Sequence, residues 1–300
     1  MKYIIGVDGG GTSTKAAAYD LEGQLLKETQ TGFGNLLNNA EEALTNIRQS
    51  LLNLFDELGE ENCQMIVLGI AGVDSGDFRD VIFEDLTQFK PEIIILNDAW
   101  MAHYALLDGE DGCLVISGTG SIVIGKFNES ESRVGGYGNL LGDEGSGYDI
   151  AKELIKSALN SFDKGEEFSD LEEKLMKQGN FSTIFDLVKF VYASSKNQVA
   201  DFSMIVVDEA REGDNQAIQI LKEAGLKLAN QVSMLIEKLG MQKLPKVAVT
   251  GSVLLKNDVV YEAFVEGVQS KYVNCEFIRE QNSSNTRGGY AYYKKQMSNN

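Results

Sequence analysis

The feature that most constrains the fold is the opening stretch "YIIGVDGGGTSTKAAAYD", residues 3–20. An apolar, β-type run over residues 3–7 is followed by a second run over residues 13–20, and only turn-forming residues separate them. Two such runs pair as an antiparallel hairpin. A third run, "QLLKETQT" at residues 24–31, extends the hairpin into a meander. The chain therefore begins as an antiparallel sheet and not as a βαβ unit.

Helix and strand patterns alternate after this meander. Residues 40–58 place apolar side chains on one helical face, and apolar runs at residues 65–72 and 92–98 predict buried strands. A short helix between these strands ends at Pro91. Alternation of this kind is typical of the α/β class.

The same order restarts at "GCLVISGTGSIVIGKFN", residues 112–128, with a strand, a glycine-rich turn and a return strand. Residues 147–243 are mostly helical in pattern, and residues 246–255 predict a strand that runs into a Gly-Ser turn. A helix near residues 258–270, a strand near 275–278 and a last helix from about residue 286 complete the chain. The restart indicates an internal duplication at the level of structure.

We therefore predict two α/β domains around a shared cleft. The first consists of residues 1–107 plus 286–300, and the second of residues 108–285 with a helical insertion. The chain contains only two prolines and no low-complexity linker, so we expect the two halves to pack closely.

Composition narrows the possible partners. The net charge of −18 repels phosphate backbones, so we expect no nucleic-acid partner. No apolar stretch is long enough to span a bilayer and no signal-peptide pattern opens the chain, so we expect no membrane partner and a cytoplasmic location. The three cysteines lack a C-x-x-C spacing, and the single histidine, His103, is interpreted as structural. We therefore expect a carboxylate, and not a histidine, to carry out proton transfer.

Two glycine-rich turns are the strongest candidates for phosphate binding. Gly9, Gly10, Gly11 and Thr12 follow the first strand, and Gly118, Thr119, Gly120 and Ser121 follow the equivalent strand of the second half. Glycine permits positive φ and close approach of a ligand, so that successive N–H groups form a nest for phosphate oxygens. A simple hairpin turn needs fewer glycines. Paired loops favour a polyphosphate held from both sides.

Two aspartates are expected at the carboxyl ends of strands, where ligands of α/β sheets bind. Asp8 is a candidate ligand of Mg²⁺, directly or through water, because hard cations prefer oxygen. Asp98 is a candidate general base. Its alternative interpretation is a helix N-cap.

These motifs together resemble a known family. The segments "GVDGGGTSTK", "LNDAWMA", "ISGTGS", "GGYGNLLGDEGSGYDIA" and "VTGSV" occur in the order seen in the ASKHA superfamily of sugar kinases, heat-shock chaperones and actins. They are most similar to its N-acetylglucosamine kinase branch, which is grouped with the BadF/BadG/BcrA/BcrD-type ATPases. The resemblance covers nearly the whole chain, and "GDEGSGYDIA" is its most specific part.

The resemblance implies two ribonuclease-H-like (actin-like ATPase) domains that flank a nucleotide and sugar cleft. It implies ATP and Mg²⁺ as cofactors, the two glycine-rich turns as phosphate loops, and Gly251 and Ser252 as the adenosine loop. Asp98 would be the catalytic base and would contact the sugar. Further sugar contacts are implied for Asn35, Ser121, Gly136, Tyr137 and Asp143. Tyr137 stands where some relatives carry Trp.

The predicted function is ATP-dependent phosphorylation of an amino sugar, with N-acetylglucosamine and its 6-phosphate as the expected substrate and product. N-acetylmuramic acid and glucosamine are close alternatives, and we expect a homodimer. A hypothesis of another class is an ATPase activator that delivers an electron to a dehydratase from an iron–sulfur cluster, which requires thiolate ligands. A third is an actin-like assembly protein, which the sugar-site candidates Asn35 and Asp143 disfavour.

Overall fold

The structure is a computed structural model that describes residues 1–128, 130–243, 246–279 and 284–299. The chain divides into two compact units, Met1–Asp111 with Asn282–Asn300 and Gly112–Gln281. Within the described ranges each unit is built on one five-stranded mixed sheet with helices. The predicted α/β class is thereby confirmed.

The first unit begins with the predicted meander. Its strands are β1 (Tyr3–Gly9), β2 (Thr14–Asp20), β3 (Leu25–Thr31), β4 (Cys63–Ile70) and β5 (Glu92–Asn97), and its helices are α1 (Ala40–Leu58), α2 (Phe78–Leu86), α3 (Asp98–Leu107) and the chain's last helix, α12 (Arg287–Asn299). The sheet has the order β3-β2-β1-β4-β5. Strand β1 pairs antiparallel with β2 and parallel with β4, so it lies at the centre of the sheet.

Helix α1 shows why the helical prediction for residues 40–58 is correct. The side chain of Asn39 accepts a hydrogen bond from the Glu42 N–H and so caps the first turn. Ile47, Leu51 and Leu54 are fully buried on one face, which packs in the same core as the sheet. Beyond the last turn, Gly59 adopts φ 77°, a value that favours glycine and ends the helix.

The last helix packs on the first unit through a close backbone approach. A Cβ added at Gly289 would lie 2.6 Å from the Cα of Gly6, and one added at Gly6 would collide with the carbonyl oxygen of Thr286. The Tyr292 ring meets the Tyr104 ring of α3 edge-on at 5.1 Å. Helix α12 thus covers β1 and α3 together.

The second unit repeats the sheet connectivity of the first. Its strands are β6 (Gly112–Ser117), β7 (Ser121–Phe127), β8 (Ser130–Gly135), β9 (Lys246–Thr250) and β10 (Glu276–Ile278). The order is β10-β9-β6-β7-β8, and β6 pairs antiparallel with β7 and parallel with β9. Strand β6 is therefore the counterpart of β1.

Helices between β8 and β9 form the predicted helical stretch. They are α4 (Gly147–Lys164), α5 (Asp170–Gln178), α6 (Ile184–Ala193), α7 (Lys196–Ala200), α8 (Ser203–Arg211) and α9 (Asn215–Leu239), and two further helices, α10 (Ser252–Lys256) and α11 (Asp258–Gln269), follow β9. Helix α9 has a long buried face that runs from Ala217 to Ile236. No helix within the described ranges is both long enough and apolar enough to cross a membrane.

Four details differ from the sequence predictions. Strand β8 was not predicted, because its polar, partly exposed sequence "SESRVG" lacks the apolar signal of a strand. Strand β4 covers residues 63–70, two residues before the predicted range. The segment after β9 is not a simple turn, since α10 begins at Ser252. The strand predicted at residues 92–98 ends at Asn97, and Asp98 is the first residue of α3.

The close approach at Gly6 gives a stability prediction. Gly6→Ala places a methyl group against backbone that cannot move without displacing α12, so we expect a loss of about 1–3 kcal/mol in the free energy of unfolding. The control is Gly11→Ala, because an added Cβ there has no neighbour within 4 Å. Chemical denaturation of both variants measures the difference. Equal stability of Gly6→Ala and wild type would contradict the packing described for α12.

Candidate functional site

The first glycine-rich turn joins β1 to β2 as predicted. The Gly10 N–H donates to the Ser13 carbonyl at 2.9 Å, and the N–H groups of Gly34 and Asn35 donate to the Gly10 carbonyl at 2.9 and 3.1 Å. The expectation that these glycines supply positive φ is wrong, because Gly9, Gly10 and Gly11 are absent from the positive-φ residues of the described chain. None of these three glycines therefore has a φ angle that favours glycine over other residues.

The fold itself explains only one of these three glycines. A Cβ at Gly9 would lie 2.6 Å from Cδ1 of Ile70, so packing demands glycine there. At Gly10 the nearest atom would be 3.5 Å away, and at Gly11 there is none within 4 Å. Two glycines that neither conformation nor packing requires are consistent with a ligand that approaches the backbone closely.

The second turn, residues 118–121, joins β6 to β7 in the same way. The Gly118 N–H donates to the Gly120 carbonyl at 2.9 Å, and the Gly118 carbonyl accepts from the Gly147 N–H of α4 at 2.8 Å. A Cβ at Gly120 would lie 3.0 Å from both carboxylate oxygens of Asp143 and closer still to Nζ of Lys196. Gly120 is therefore small because two charged groups meet above it.

Gly251 and Ser252 lie beside this second turn. Gly251 adopts φ 91°, and a Cβ there would collide with the backbone of Ser117. A Cβ at Gly118 would be 3.9 Å from the N and Oγ of Ser252. The second unit thus brings together the predicted phosphate loop and the predicted adenosine loop.

Asp98 is held by the junction of β5 and α3. The N-cap of α3 is Asn97, whose side chain accepts from the Trp100 N–H at 2.8 Å. This corrects the interpretation of Asp98 as a strand end or an N-cap. Asp98 Oδ1 accepts from the Ala99 N–H at 3.0 Å. The helix N-terminus favours the charged carboxylate at this position.

The surroundings of Asp98 nevertheless raise its pKa. Asp98 is exposed to solvent on one side, but protein atoms surround much of it. The resulting desolvation of its carboxylate is the largest cause of the raised pKa. The Ala99 N–H opposes the shift, and the negative charge of Asp74 adds to it. Asp74 Oδ2 accepts from the Asn97 amide at 2.6 Å, so Asp74 supports the residue that caps α3. Sequence reasoning missed Asp74, because nothing in its local pattern marks it.

Asp8 lies near the end of β1 in the same unit. Burial raises its pKa, a 3.1 Å hydrogen bond from the Asn285 amide lowers it, and repulsion by Asp98 raises it again. These two carboxylates therefore lie near enough to repel each other. Two such oxygen donors suit Mg²⁺, which needs one or two carboxylates and keeps several waters. In the described ranges no group of three or more His, Cys, Asp or Glu is placed to hold a metal.

Asn35 lies next to the first glycine-rich turn. Its backbone N–H donates to the Gly10 carbonyl, and its side-chain oxygen accepts from the Leu37 N–H at 2.9 Å. A Cβ at Gly72, which follows β4, would lie 3.0 Å from this oxygen. The first unit thus brings the turn of residues 9–12, Asn35, Asp8 and Asp98 to one edge of its sheet.

The segment that follows β8 in the second unit carries the other predicted sugar contacts. Gly136 adopts φ 72°, and Tyr137 is exposed with the Arg133 guanidinium 5.3 Å from its ring centroid. Asp143 has φ 65° and is only 3% exposed. Its Oδ1 accepts from the Ser121 N–H at 3.2 Å, and the Ser121 hydroxyl donates to the Glu144 carbonyl at 2.8 Å.

Lys196 is the partner of Asp143 that the sequence did not predict. Its Nζ lies 2.7 Å from Oδ2 of Asp143 as an ion pair, although no hydrogen bond of good angular geometry reaches that oxygen. Lys196 is the first residue of the short helix α7, which Ser195 caps. It is 53 residues from Asp143 and belongs to no motif, so no local pattern indicates the pair.

A buried ionic network supports the loop around Asp143. Asp149 Oδ2 accepts from the Gly145 N–H at 2.9 Å and from Lys227 Nζ at 2.8 Å, while Lys152 Nζ lies 3.0 Å from Oδ1. Burial raises the pKa of Asp149, but the Gly145 N–H and the two lysines together hold it below its usual value. The amide of Gln231 also donates to the Glu144 carbonyl at 3.3 Å. Side chains of helices α4 and α9 thus hold the loop around Asp143 in place.

The cysteines do not resemble cluster ligands. Cys63, Cys113 and Cys275 are all free and buried. Burial raises the pKa of the Cys63 and Cys113 thiols to about 12 and that of Cys275 to about 11. Thiolate ligation needs the opposite shift, so the iron–sulfur hypothesis gains no support from these residues.

Comparisons with known proteins agree with this architecture. The profile of the BadF/BadG/BcrA/BcrD ATPase family matches residues 5–287. An N-acetylmuramic acid/N-acetylglucosamine kinase from Clostridium acetobutylicum is 34% identical over 95% of this chain and 96% of its own length. An N-acetyl-D-glucosamine kinase from Dictyostelium discoideum is 28% identical over 92% of each chain. A proposed N-acetylglucosamine kinase from Chromobacterium violaceum shares the fold, with a TM-score of 0.74, 21% identity and coverage of 97% and 98%. The predicted resemblance is confirmed.

The network around Asp149 gives a pH prediction. Asp149→Asn keeps an acceptor for the Gly145 N–H but removes the charge that Lys152 and Lys227 neutralise, so we expect a loss of about 1–3 kcal/mol in the free energy of unfolding at pH 7. Because the folded-state pKa is lowered, this contribution is complete above the unfolded-state value of about 4 and is lost as the pH falls below it.

Denaturation of wild type and variant between pH 7 and pH 3 measures this difference. The difference in the free energy of unfolding between wild type and Asp149→Asn should become smaller as the pH falls towards 3. The control is Asp208→Asn, which removes an exposed partner of Arg211 and should change little at any pH. A gap that widens on acidification would show that the sign assigned to the Asp149 pKa is wrong.

Proposed function

The chain belongs to the BadF/BadG/BcrA/BcrD ATPase family, and on that premise we propose that it is an ATP-dependent kinase of an amino sugar. One observation carries the proposal. In the first unit a glycine-rich turn with two glycines that the fold does not require shares a sheet edge with a desolvated carboxylate, Asp98. The names of the relatives support N-acetylglucosamine as the substrate, with N-acetylmuramic acid and glucosamine as alternatives. The proposed product is the 6-phosphate.

The glycine-rich turns are assigned to ATP in this proposal. Backbone N–H groups of residues 9–12 in one unit and of residues 118–120 in the other bind phosphate oxygens. Gly251 and Ser252, beside Gly118, take the adenosine side. Phosphoryl transfer requires mainly positioning and charge neutralisation, which backbone donors provide without a side-chain nucleophile.

Asp98 is assigned as the base. Its carboxylate accepts the proton of the sugar hydroxyl while the hydroxyl oxygen forms a bond to the γ-phosphorus and the bond to the β-phosphate oxygen breaks, which releases ADP. A raised pKa makes the carboxylate a better proton acceptor, provided that it is ionised at the working pH. Asn35, Ser121, Gly136, Tyr137 and Asp143 are assigned to sugar contacts that hold the hydroxyl in place.

Asp8 is assigned to Mg²⁺, held directly or through water. Mg²⁺ would supply neutralisation of phosphate charge when it is bound with ATP. Burial, and after it the repulsion by Asp98, raises the pKa of Asp8, which is consistent with a site that receives a cation. The proposed location is the cytoplasm, and the proposed assembly is a homodimer, which sedimentation velocity would test.

The experiment for the function is an ADP-release assay over a panel of sugars with ATP and Mg²⁺. We expect stimulation by N-acetylglucosamine and weaker or no stimulation by glucose, because the predicted substrate carries an amino substituent. Mass spectrometry of the product should show one added phosphoryl group. If no amino sugar raised ADP release above the rate without sugar, the kinase proposal would be rejected.

Asp98→Asn tests the assigned base. The variant keeps the shape and the hydrogen bond from the Ala99 N–H but cannot take up the proton, so kcat should fall about 10²–10⁴-fold. Calorimetry should show that sugar and nucleotide still bind. Turnover close to that of wild type would remove Asp98 from this role.

Gly11→Ala tests the first phosphate loop. An added methyl group meets no protein atom, so the unfolding temperature should stay unchanged. If phosphate oxygens approach this backbone, the methyl group displaces them, and we expect KM for ATP to rise about tenfold, in line with the loss of one hydrogen bond to a charged group. KM for the sugar serves as the internal control. An unchanged KM for ATP would place the phosphates elsewhere.

A further inference from the structure

A pocket in the Gly112–Gln281 unit has no role in the proposed mechanism. It has a volume of about 490 Å³ and lies between the segment at Asn139 and Leu140, helix α4, helix α6 and the start of α7. Its apolar wall consists of Ile155, Leu159, Val188, Val191 and Val199. The exposed side chains of Leu140 and Tyr192 stand at its rim.

The side chains that line this pocket carry a net charge opposite in sign to that of the whole chain. Among the described residues that line it, Lys152, Lys156 and Lys196 are basic and none is acidic, although the net charge of the whole chain is −18. Three ammonium groups beside an apolar wall suit a ligand that carries an anion and a hydrocarbon part.

Carboxylates outside the lining hold these lysines in place. Lys152 pairs with Asp149 at 3.0 Å, Lys156 with Glu153 at 3.3 Å and Lys196 with Asp143 at 2.7 Å. Each partner restricts the motion of an ammonium group, so less side-chain entropy is lost when a ligand anion binds. Each ammonium group has three N–H donors, so it can contact a ligand anion while it keeps its carboxylate partner.

Lys196 connects this pocket to the proposed sugar site. It lines the pocket and also contacts Asp143, the carboxylate assigned to sugar hydroxyls. A sugar bound at Asp143 would thus have a substituent within reach of Lys196 and of the pocket that Lys196 lines. The volume is ample for a small substituent together with ordered water.

We propose that this pocket is the subsite for an anionic, partly apolar substituent of the amino sugar, of the kind that the lactyl ether of N-acetylmuramic acid provides. The inference rests on the proposed function and adds residues that select among its substrates. The carboxylate of the substituent lies against Lys152, Lys156 and Lys196, and its methyl group lies against the aliphatic wall. A neutral sugar such as N-acetylglucosamine leaves the pocket to water.

The test compares kcat/KM for N-acetylmuramic acid and N-acetylglucosamine in wild type, Lys156→Met and Tyr192→Glu. Lys156 is chosen because its partner, Glu153, also pairs with Lys227 at 3.2 Å and so keeps a cation when Lys156 is removed. Tyr192→Glu adds a negative charge at an exposed rim position without burying it. In each variant the ratio of kcat/KM for the acidic sugar to that for the neutral sugar should fall about tenfold, the effect of one charge-assisted contact.

Two controls isolate the charge of the pocket. Lys222→Met removes an exposed lysine of α9 that does not line the pocket, and it should leave the ratio unchanged. Tyr192→Gln matches Tyr192→Glu in shape without its charge, and it should shift the ratio much less.

Calorimetry with N-acetylmuramic acid gives a readout without turnover. Wild type should bind this sugar about tenfold more tightly than Lys156→Met does, while both bind N-acetylglucosamine alike. If wild type phosphorylates N-acetylglucosamine but neither binds nor phosphorylates the acidic sugar, or if both variants leave ratio and affinity unchanged, the subsite is overturned. If no sugar is turned over, the proposed function fails separately, and the calorimetric comparison still decides the subsite.

Discussion

The pairing of strand β1 determines where the candidate site residues lie. This central strand pairs antiparallel with β2, its hairpin partner, and parallel with the later strand β4. The turn after β1 must lie at the carboxyl end of that strand, and the parallel strands β4 and β5 end at the same edge. The Ala71 N–H, just past β4, donates to the Gly9 carbonyl at 2.9 Å and ties the two ends together. A glycine-rich turn and Asp98 therefore meet at one edge of the sheet. In the second unit β6, β7 and β9 repeat the arrangement, which brings Gly118 next to Ser252.

Much of this framework is readable from the sequence, because it depends on local signals. Apolar runs with a glycine-rich turn between them specify the hairpins, and the residues of α1 show a clear helical period with a capping Asn39. Strand β8 escaped prediction because it is an edge strand with polar residues, where hydrogen bonding to β7 and not side-chain burial makes the strand. The φ angles at Gly9, Gly10 and Gly11 were not predicted correctly. A run of glycines fits a turn that needs positive φ and a turn that leaves room for a ligand equally well.

The sequence predicted candidate site contacts only where both contacting residues belong to one motif. Residues of "GDEGSGYD" predicted a functional loop, but the loop's supports Lys196, Lys227 and Gln231 lie on distant helices whose sequence shows only exposed or amphipathic surface. Long-range ion pairs of this kind depend on how helices pack, which a local pattern does not encode. The same holds for Asn285, which reaches Asp8 from a segment 277 residues away.

Local electrostatics resolve the conflict between an acidic chain and an anionic ligand. With 45 acidic and 27 basic residues the mean field opposes ATP and acidic sugars, yet the mean field is screened over about 8 Å at physiological ionic strength. Binding is then decided by groups within that distance. In the proposed function, backbone N–H groups provide them at the glycine-rich turns, and in the proposed subsite Lys152, Lys156 and Lys196 provide them. In that proposal the carboxylates of Asp149, Glu153 and Asp143 hold the three lysines in place, so acidic residues of the fold help to position the groups that would meet a ligand anion.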